Sequence, residues 1–210
     1  MNTIESVRHP RLPRSFYRRG AVSLARHLLG QKLVHIVEGV RLAGIIVEVE
    51  AYLGVRDKAA HTYRGRHTPR NHAMWCDGGH AYVYFTYGMH HCMNVVASVE
   101  GEPVAVLVRA LEPVEGLELM YRNRGLAPTA PPTSLCSGPG KLCQAMGITR
   151  AMTGRDMVVD ETLFIERRRA RPLPASRIVV TKRIGVAYAE EWADKPLRFY
   201  IRDNPHVSKR

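Results

Sequence analysis

The segment LAGIIVEVEAY, residues 42–52, carries the clearest strand pattern of this chain. Its apolar and polar side chains alternate, which is the periodicity of a β-strand. One face carries Ile45, Val47 and Val49, and the other carries Glu48, Glu50 and Tyr52. Two carboxylates and a tyrosine in a row on one strand face indicate either contact with water or a functional site. The strand by itself leaves both explanations open.

Several more strands and helices are predicted on either side of this segment. Strands are predicted at Ala81–Tyr87, Cys92–Ser98, Val104–Leu111, Leu163–Glu166, Arg177–Lys182 and Leu197–Arg202. Helices are predicted at Ala21–Leu29, Pro113–Arg122 and Lys141–Met146. Neighbouring strands with short turns favour an α+β fold, a single domain with a curved, mostly antiparallel sheet, peripheral helices and a protruding β-hairpin.

The length of 210 residues fits one domain that spans residues 1–210. Residues 1–14 are expected to form a flexible N-terminal segment. The proline-rich stretch Gly125–Ser134 and the arginine run at residues 167–171 are interpreted as loops inside that domain.

The charge of the chain favours a polyanionic partner. Lysine and arginine number 31 against 19 acidic residues, which gives a net charge of +12. Nucleic acid or an anionic membrane face would suit that surplus.

A hydrophobic content of 45% excludes a disordered chain. Neither a secretory signal nor a run of eighteen apolar residues is found, so we expect an intracellular protein without a membrane span. The four cysteines lack zinc-ribbon spacing and are expected to be reduced thiols in the interior.

A polar loop and a tyrosine-rich hairpin follow the strand at residues 42–52. The loop from His61 to His72 is rich in arginine and histidine, and its turn Thr68–Asn71 can offer donors to phosphate oxygens. The predicted hairpin carries Tyr82, Tyr84 and Tyr87. Such residues suit base stacking and wedging into the minor groove. For Tyr82, packing in the core is the preferred interpretation.

These stretches closely resemble the alkyladenine (3-methyladenine) DNA glycosylase family, in order and from about Leu24 to Ser208. The matching motifs are Glu48–Gly54, His61, Arg66–Asn71, Tyr87–Asn94, Val108–Pro113, Leu135–Gln144, Arg183–Gly185, Glu191–Trp192 and Lys195–Tyr200. The resemblance implies a monofunctional DNA glycosylase that starts base excision repair. It would flip alkylated or deaminated purines out of duplex DNA and hydrolyse the N-glycosidic bond with a carboxylate-activated water.

The resemblance also assigns roles to individual residues. Catalysis falls to Glu50, with Arg109 and the backbone carbonyl of Ile184 holding the water. The base would be held by Tyr52, His61, Tyr84 and Asn94, and Tyr87 would intercalate in the DNA. DNA-phosphate contacts fall to Arg66, Thr68, Arg70, Met89, His90, Gly140 and Lys141. No metal or cofactor is expected. The expected partner is double-stranded DNA with damaged purines, bound by a monomer in the cytoplasm, at the nucleoid of a bacterium, or in a nucleus.

Other functions compete with this interpretation. A metal-dependent nuclease could use Glu48, Glu50 and His61, and a basic protein could bind nucleic acid without catalysis. Histidine and cysteine ligands for a metal could be sought at His72, Cys76, His80 and residues 90–92, although no zinc-like pair of pairs emerges. A lyase would need a lysine facing the site, and none occurs between Lys58 and Lys141.

Overall fold

The computed structural model describes residues 10–86 and 88–209. The strands there are β1 (Lys32–Val37), β2 (Val40–Tyr52), β3 (Ala81–Thr86), β4 (His90–Ala97), β5 (Val104–Glu115), β6 (Leu163–Glu166), β7 (Ile178–Thr181) and β8 (Arg198–Ile201). The α-helices are α1 (Arg14–Tyr17), α2 (Ala21–Leu28), α3 (Leu117–Arg124), α4 (Thr133–Cys136) and α5 (Pro139–Met146).

The long strand β2 is the centre of one antiparallel sheet. The strand order is β3-β4-β5-β2-β1-β6. Strand β8 pairs with residues Glu48–Glu50 of β2 and also with β7. All of these pairings are antiparallel. The α+β class with a curved antiparallel sheet and peripheral helices is therefore confirmed. The β3–β4 hairpin has exposed apolar side chains at its end, Phe85 and Met89.

The sheet has two buried faces with different roles. On one face Val49, Val106 and Val108 join the main core with the helices. On the other face Glu50 lies opposite Leu107, which in turn pairs with Asn94 of β4. Side chains alternate along a strand, so Val49 and Glu50 lie on opposite faces of the sheet. The helices pack on the face of Val49, which leaves the face of Glu50 available for a site.

An irregularity in β2 changes the predicted alternation. The register with β5 shifts between Ile46 and Glu48 and again between Glu48 and Val49. Such a bulge leaves an extra residue on one strand, so Ile46 rather than Val47 joins Val49 in the main core. The second part of the prediction holds, because Glu48, Glu50 and Tyr52 remain on one face.

The helix predicted to begin at Pro113 begins at Leu117 instead. Strand β5 continues to Glu115, and Pro113 pairs with Gly44 of β2. The turn falls on Gly116, whose φ is +74° and where a Cβ would lie 2.6 Å from the carbonyl oxygen of Arg41. Glycine is therefore required at this position. The turn begins only where the pairing of β5 with β2 has ended.

Part of the segment expected to be flexible is packed on the sheet. Leu12 is 1% exposed, and its amide donates to the carbonyl of Ile165 at 2.9 Å. The Arg167 amide donates to the carbonyl of Pro10 at 2.7 Å. The backbone of residues 10–12 therefore extends the pairing beside β6, while the flexibility of the N-terminal segment stays a prediction. Residues 1–9 lie outside the described part of the chain.

Two further expectations concern the cysteines and the membrane. All four cysteines are free. Cys92, Cys136 and Cys143 are buried, as predicted, whereas Cys76 is only half-buried. Among residues 10–86 and 88–209, no helix has the length and apolar character needed to cross a bilayer.

Candidate active site

A half-open cavity of about 380 Å³ lies on the face of the sheet that the helices leave free. Strands β2, β4 and β5 form its floor, with Tyr52, Asn94 and Arg109 among the lining residues. The loop after β2 supplies His61, and the segment after β7 supplies Ile184. The cavity therefore collects residues that are far apart along the chain.

Glu50 is fully buried beneath the floor of this cavity, where it contacts the lining residues Tyr52, Arg109 and Ile184. Its Oε1 accepts a hydrogen bond from the Ile184 amide at 2.8 Å and lies 3.2 Å from Nη1 of Arg109. Its Oε2 accepts a hydrogen bond from the Tyr52 hydroxyl at 3.0 Å. Two hydrogen bonds and one ion pair thus fix the orientation of this carboxylate.

Burial raises the pKa of the Glu50 carboxyl above its ordinary value. The Arg109 charge, the Ile184 amide and the Tyr52 hydroxyl act in the opposite direction by stabilising the carboxylate, whereas Glu48 adds to the rise. A carboxylate with a raised pKa is a stronger base than one in water. Glu50 is therefore suited to take a proton from a water molecule.

Glu48 has a different environment from Glu50. Its Oε1 accepts from Nε of Arg109 at 3.2 Å, from Nε of Arg198 at 2.8 Å and from the Ser208 hydroxyl at 3.0 Å, while its Oε2 accepts from the Ser208 amide at 2.7 Å. Glu48 thereby fixes Arg109, which in turn contacts Glu50. The sequence placed Glu48 beside Glu50 but gave no sign of Ser208, which lies 160 residues away.

The ligand set of the competing nuclease hypothesis is not assembled. The carboxylate of Glu48 is bonded to two arginines and a serine, and Nδ1 of His61 is bonded to the Tyr82 hydroxyl. Within the described ranges, no three His, Cys, Asp or Glu side chains are grouped as metal ligands.

Aromatic side chains form the walls of the cavity. The His61 and Tyr84 rings meet edge to face with centroids 4.6 Å apart. Nδ1 of His61 lies 2.7 Å from the Tyr82 hydroxyl. Burial and the charges of Arg70 and Arg66 lower the pKa of His61 to about 4, so its ring is neutral at physiological pH. Tyr82 is 1% exposed, as expected for a core residue.

Asn94 is held against the cavity floor. It is 4% exposed, and its Nδ2 donates to the backbone carbonyl of Tyr82 at 3.1 Å. This bond fixes one end of the amide, so the Asn94 side chain presents a fixed shape to whatever enters the cavity.

Some of the predicted donors of the basic loop lie at the surface, whereas others form hydrogen bonds within the loop. Arg66 and Arg70 are exposed, and Arg70 also borders the cavity. Asn71 is 2% exposed and donates to the carbonyls of His61 and Arg66, so its amide is not available to phosphate, contrary to expectation. Thr68 is half-buried and its hydroxyl donates to Asn71 at 3.2 Å. Asn71 therefore shapes the loop that carries the arginines.

The tip of the β3–β4 hairpin lies against the start of α5. A Cβ on Gly140 would come within 3.0 Å of the His90 ring, so glycine lets the two elements approach. Met89, His90 and Lys141 are exposed near this contact. Tyr87, the expected intercalating residue, lies outside the described residues. The remaining predicted site residues occupy two neighbouring regions, the cavity and its basic rim.

A buried, oriented carboxylate beneath an aromatic cavity, with exposed arginines beside it, suits a hydrolase that acts on nucleic acid. The sequence profile of the family described as "Methylpurine-DNA glycosylase (MPG)" matches residues 15–205. The chain belongs to this family. It is accordingly a DNA glycosylase, a hydrolytic DNA-repair enzyme whose substrate is DNA.

Curated bacterial proteins named "Putative 3-methyladenine DNA glycosylase" are similar to this chain over nearly its whole length. The protein from Alkaliphilus oremlandii is 47% identical over 205 residues, which cover 95% of this chain and 100% of the relative. One from Bacillus cereus is 49% identical over 203 residues, covering 94% and 98%. One from Clostridium acetobutylicum is 48% identical, covering 94% and 97%.

Proposed function

We propose that this enzyme removes alkylated or deaminated purines of the 3-methyladenine type from duplex DNA and so initiates base excision repair. The observation that carries the proposal is the position of Glu50. Its carboxylate is oriented by Tyr52, Ile184 and Arg109, three residues that line a cavity walled by aromatic rings, and it lies directly beneath them. A purine in that cavity would bring its glycosidic bond to the carboxylate.

Base flipping follows from the depth of the carboxylate, because a stacked purine inside a duplex could not reach it. Extrusion of a nucleotide costs a few kcal/mol, and least for a damaged or mispaired base. Stacking on Tyr52, His61 and Tyr84 would offset that cost. The neutral His61 adds no charge that would repel a cationic alkylpurine, and aromatic faces attract cations.

Hydrolysis requires a base for the attacking water. In the proposed reaction the water oxygen bonds to C1′ of the sugar while Glu50 accepts a water proton. The bond from C1′ to the purine nitrogen breaks, and its electron pair leaves with the purine. The carboxylate also stabilises the positive charge that develops on the sugar. Arg109 and the backbone at Ile184, including its carbonyl, would hold the water beside Glu50.

The reaction is proposed to be monofunctional, without a lyase step. A lyase forms a Schiff base between a lysine and the sugar. No lysine is found among the described residues that line the cavity. The carboxylate-and-water mechanism also uses no metal or cofactor.

Contacts to the DNA backbone are proposed for the rim of the cavity. Arg66, Thr68 and Arg70 would bind phosphates on one side. Met89, His90, Gly140 and Lys141 would do so at the junction of the hairpin and α5. We propose that Tyr87 fills the gap in the stack and that one monomer binds one lesion. Because the relatives are bacterial, the expected place of action is the cytoplasm, at the chromosome.

A lesion panel tests this function directly. Duplexes that contain 3-methyladenine, hypoxanthine, ethenoadenine or an undamaged purine would be incubated with the enzyme under single-turnover conditions. We expect release of the free damaged base, an intact abasic strand, and the same rate in excess EDTA. Strand cleavage without base release, or activity that chelation abolishes, would contradict the proposal.

A further inference from the structure

A buried ion pair behind the cavity connects the parts that orient Glu50. The side chains of Asp57 and Arg183 are both 0% exposed. Nη1 of Arg183 lies 2.6 Å from Oδ2 of Asp57, and Nη2 lies 2.9 Å from Oδ1. Such a two-bond pairing fixes the guanidinium plane and its position. Asp57 and Arg183 have no part in the chemistry proposed above.

Arg183 anchors the residue that donates to Glu50. It immediately precedes Ile184, whose amide donates to Oε1 of Glu50. The Arg183 guanidinium also donates to the carbonyls of Ala51 at 3.0 Å and Trp192 at 3.3 Å. Because Ala51 adjoins Glu50 in β2, these bonds hold the backbone at Ile184 in register with the strand that carries the carboxylate.

The same guanidinium supports the tyrosine that donates to Glu50. The central carbon of the Arg183 guanidinium lies 4.7 Å from the centroid of the Tyr52 ring. A guanidinium stacked on an aromatic face restricts the tilt of that ring. Tyr52 is held in this way while its hydroxyl bonds to Oε2 of Glu50. Arg183 therefore acts on donors to both oxygens of the carboxylate.

Asp57 extends the connection to the aromatic wall. Its Oδ2 accepts from the Leu53 amide at 2.9 Å, and its Oδ1 accepts from the Ala59 amide at 3.0 Å. These bonds close the turn that leads from the end of β2 to His61. One ion pair thus links the strand of Glu50, the segment of Ile184 and the loop of His61.

We infer that Asp57 and Arg183 are positioning residues that keep the Ile184 amide and the Tyr52 ring directed at Glu50. The inference rests on the proposed role of Glu50 as the base. When the pair is weakened, the Ile184 hydrogen bond to the carboxylate lengthens. Because that bond lowers the pKa of Glu50, its loss moves the pKa upward.

The pH dependence of base release by Arg183→Lys tests this inference. Lysine keeps the positive charge but cannot pair through two nitrogens or stack as a plane. We expect the acid limb of the single-turnover rate to move to higher pH, and the plateau rate to fall by roughly 10- to 100-fold, as small misplacements of catalytic groups do. Asp57→Asn keeps one acceptor oxygen, and we expect the same direction of change.

Arg41→Lys is the matched control. Arg41 belongs to another largely buried ion pair, 2.7 Å from both Glu115 and Glu166, and does not line the cavity. This variant should be less stable than the wild type, whereas the acid limb of its pH–rate profile should lie at the same pH as that of the wild type. Arg183→Lys and Asp57→Asn with unmoved acid limbs would overturn the inference. So would failure of both to fold while Arg41→Lys folds, since the pair would then serve folding alone. A wild type that releases no purine would instead overturn the proposed function.

Discussion

The backbone amide of Ile184 donates a 2.8 Å hydrogen bond to Oε1 of Glu50 across 134 residues of sequence. This contact joins the segment after β7 to the central strand at the floor of the cavity. The resemblance of the sequence to known glycosylases assigns the Ile184 carbonyl to the water. The structure adds the amide, which orients the carboxylate itself. In the proposed mechanism, Ile184 would orient Glu50 through its amide and hold the water through its carbonyl.

The raised pKa of Glu50 predicts that this carboxylate destabilises the fold at neutral pH. Between the ordinary value of 4.5 and the raised value, the folded state binds more protons than the unfolded state. Stability therefore falls as the pH rises through that interval and stays reduced above it. We expect Glu50→Gln to unfold at a temperature equal to or above that of the wild type at pH 7, with the gain shrinking toward pH 4.

Glu48→Gln is the comparison for that experiment. Glu48 accepts from Arg109, Arg198 and Ser208, so its charge is compensated in the folded state. Removing one partner of a buried ion pair costs about 3 kcal/mol. We expect Glu48→Gln to be less stable than the wild type. A loss of the same size in both variants would contradict the difference between the two carboxylates.

His61 predicts a second pH dependence with the opposite sign. The folded pKa is about 4, whereas the ordinary value is 6.5. Between these values the unfolded state binds more protons, so this residue makes stability rise with pH from about 4 to 6.5. Denaturant unfolding at several pH values should show a shallower rise for His61→Gln than for the wild type. An NMR titration in which the His61 ring takes up its proton near 6.5 would contradict the assignment.

Asn94 predicts a change of specificity. Its side chain is buried at the cavity floor and is held by the Tyr82 carbonyl. If it fills the space needed by the amino group of guanine, Asn94→Ser should raise excision of 7-methylguanine relative to 3-methyladenine, by roughly tenfold. Competition between the two lesions in one reaction measures that ratio. An unchanged ratio would assign the discrimination to another residue.

The proposed wedge role of Tyr87 predicts that its removal weakens binding to duplex DNA more than binding to single-stranded DNA. As a wedge its ring would replace the flipped base, and loss of such stacking is worth roughly 1–3 kcal/mol. Tyr87→Ser should therefore bind and flip a lesion in duplex DNA more weakly, as reported by a fluorescent base analogue beside the lesion. A single-stranded substrate is already unstacked and should be affected much less. Equal losses on both substrates would place the defect in the pocket or the fold.

The elements whose signals are local could be predicted from the sequence. Helix α2 and strand β6 lie within one residue of their predicted ends, because apolar periodicity and a following glycine or turn mark them. The bulge in β2 and the continuation of β5 through Pro113 depend on pairing between two strands. Neither has a local signature, so the alternation and the start of α3 were predicted wrongly.

The candidate site shows the same division between local and distant contacts. The shared face of Glu48, Glu50 and Tyr52 follows from the period of a strand and was predictable. Contacts of Glu48 with Ser208, and of Asp57 with Arg183, join positions more than 100 residues apart. No spacing rule connects such pairs. The burial of Asn71 likewise depends on how its loop closes, which residue type alone does not indicate.

The rate of base release by Glu50→Gln shows whether Glu50 is the general base. Glutamine keeps the shape of the side chain and can keep bonds to Tyr52 and Ile184, but it cannot accept the water proton. General base catalysis contributes about 10²- to 10⁴-fold to a rate. We predict that the variant binds a lesion duplex as tightly as the wild type and releases the base at least about 100-fold more slowly. Release at the wild-type rate by a folded, lesion-binding variant would exclude Glu50 as the general base.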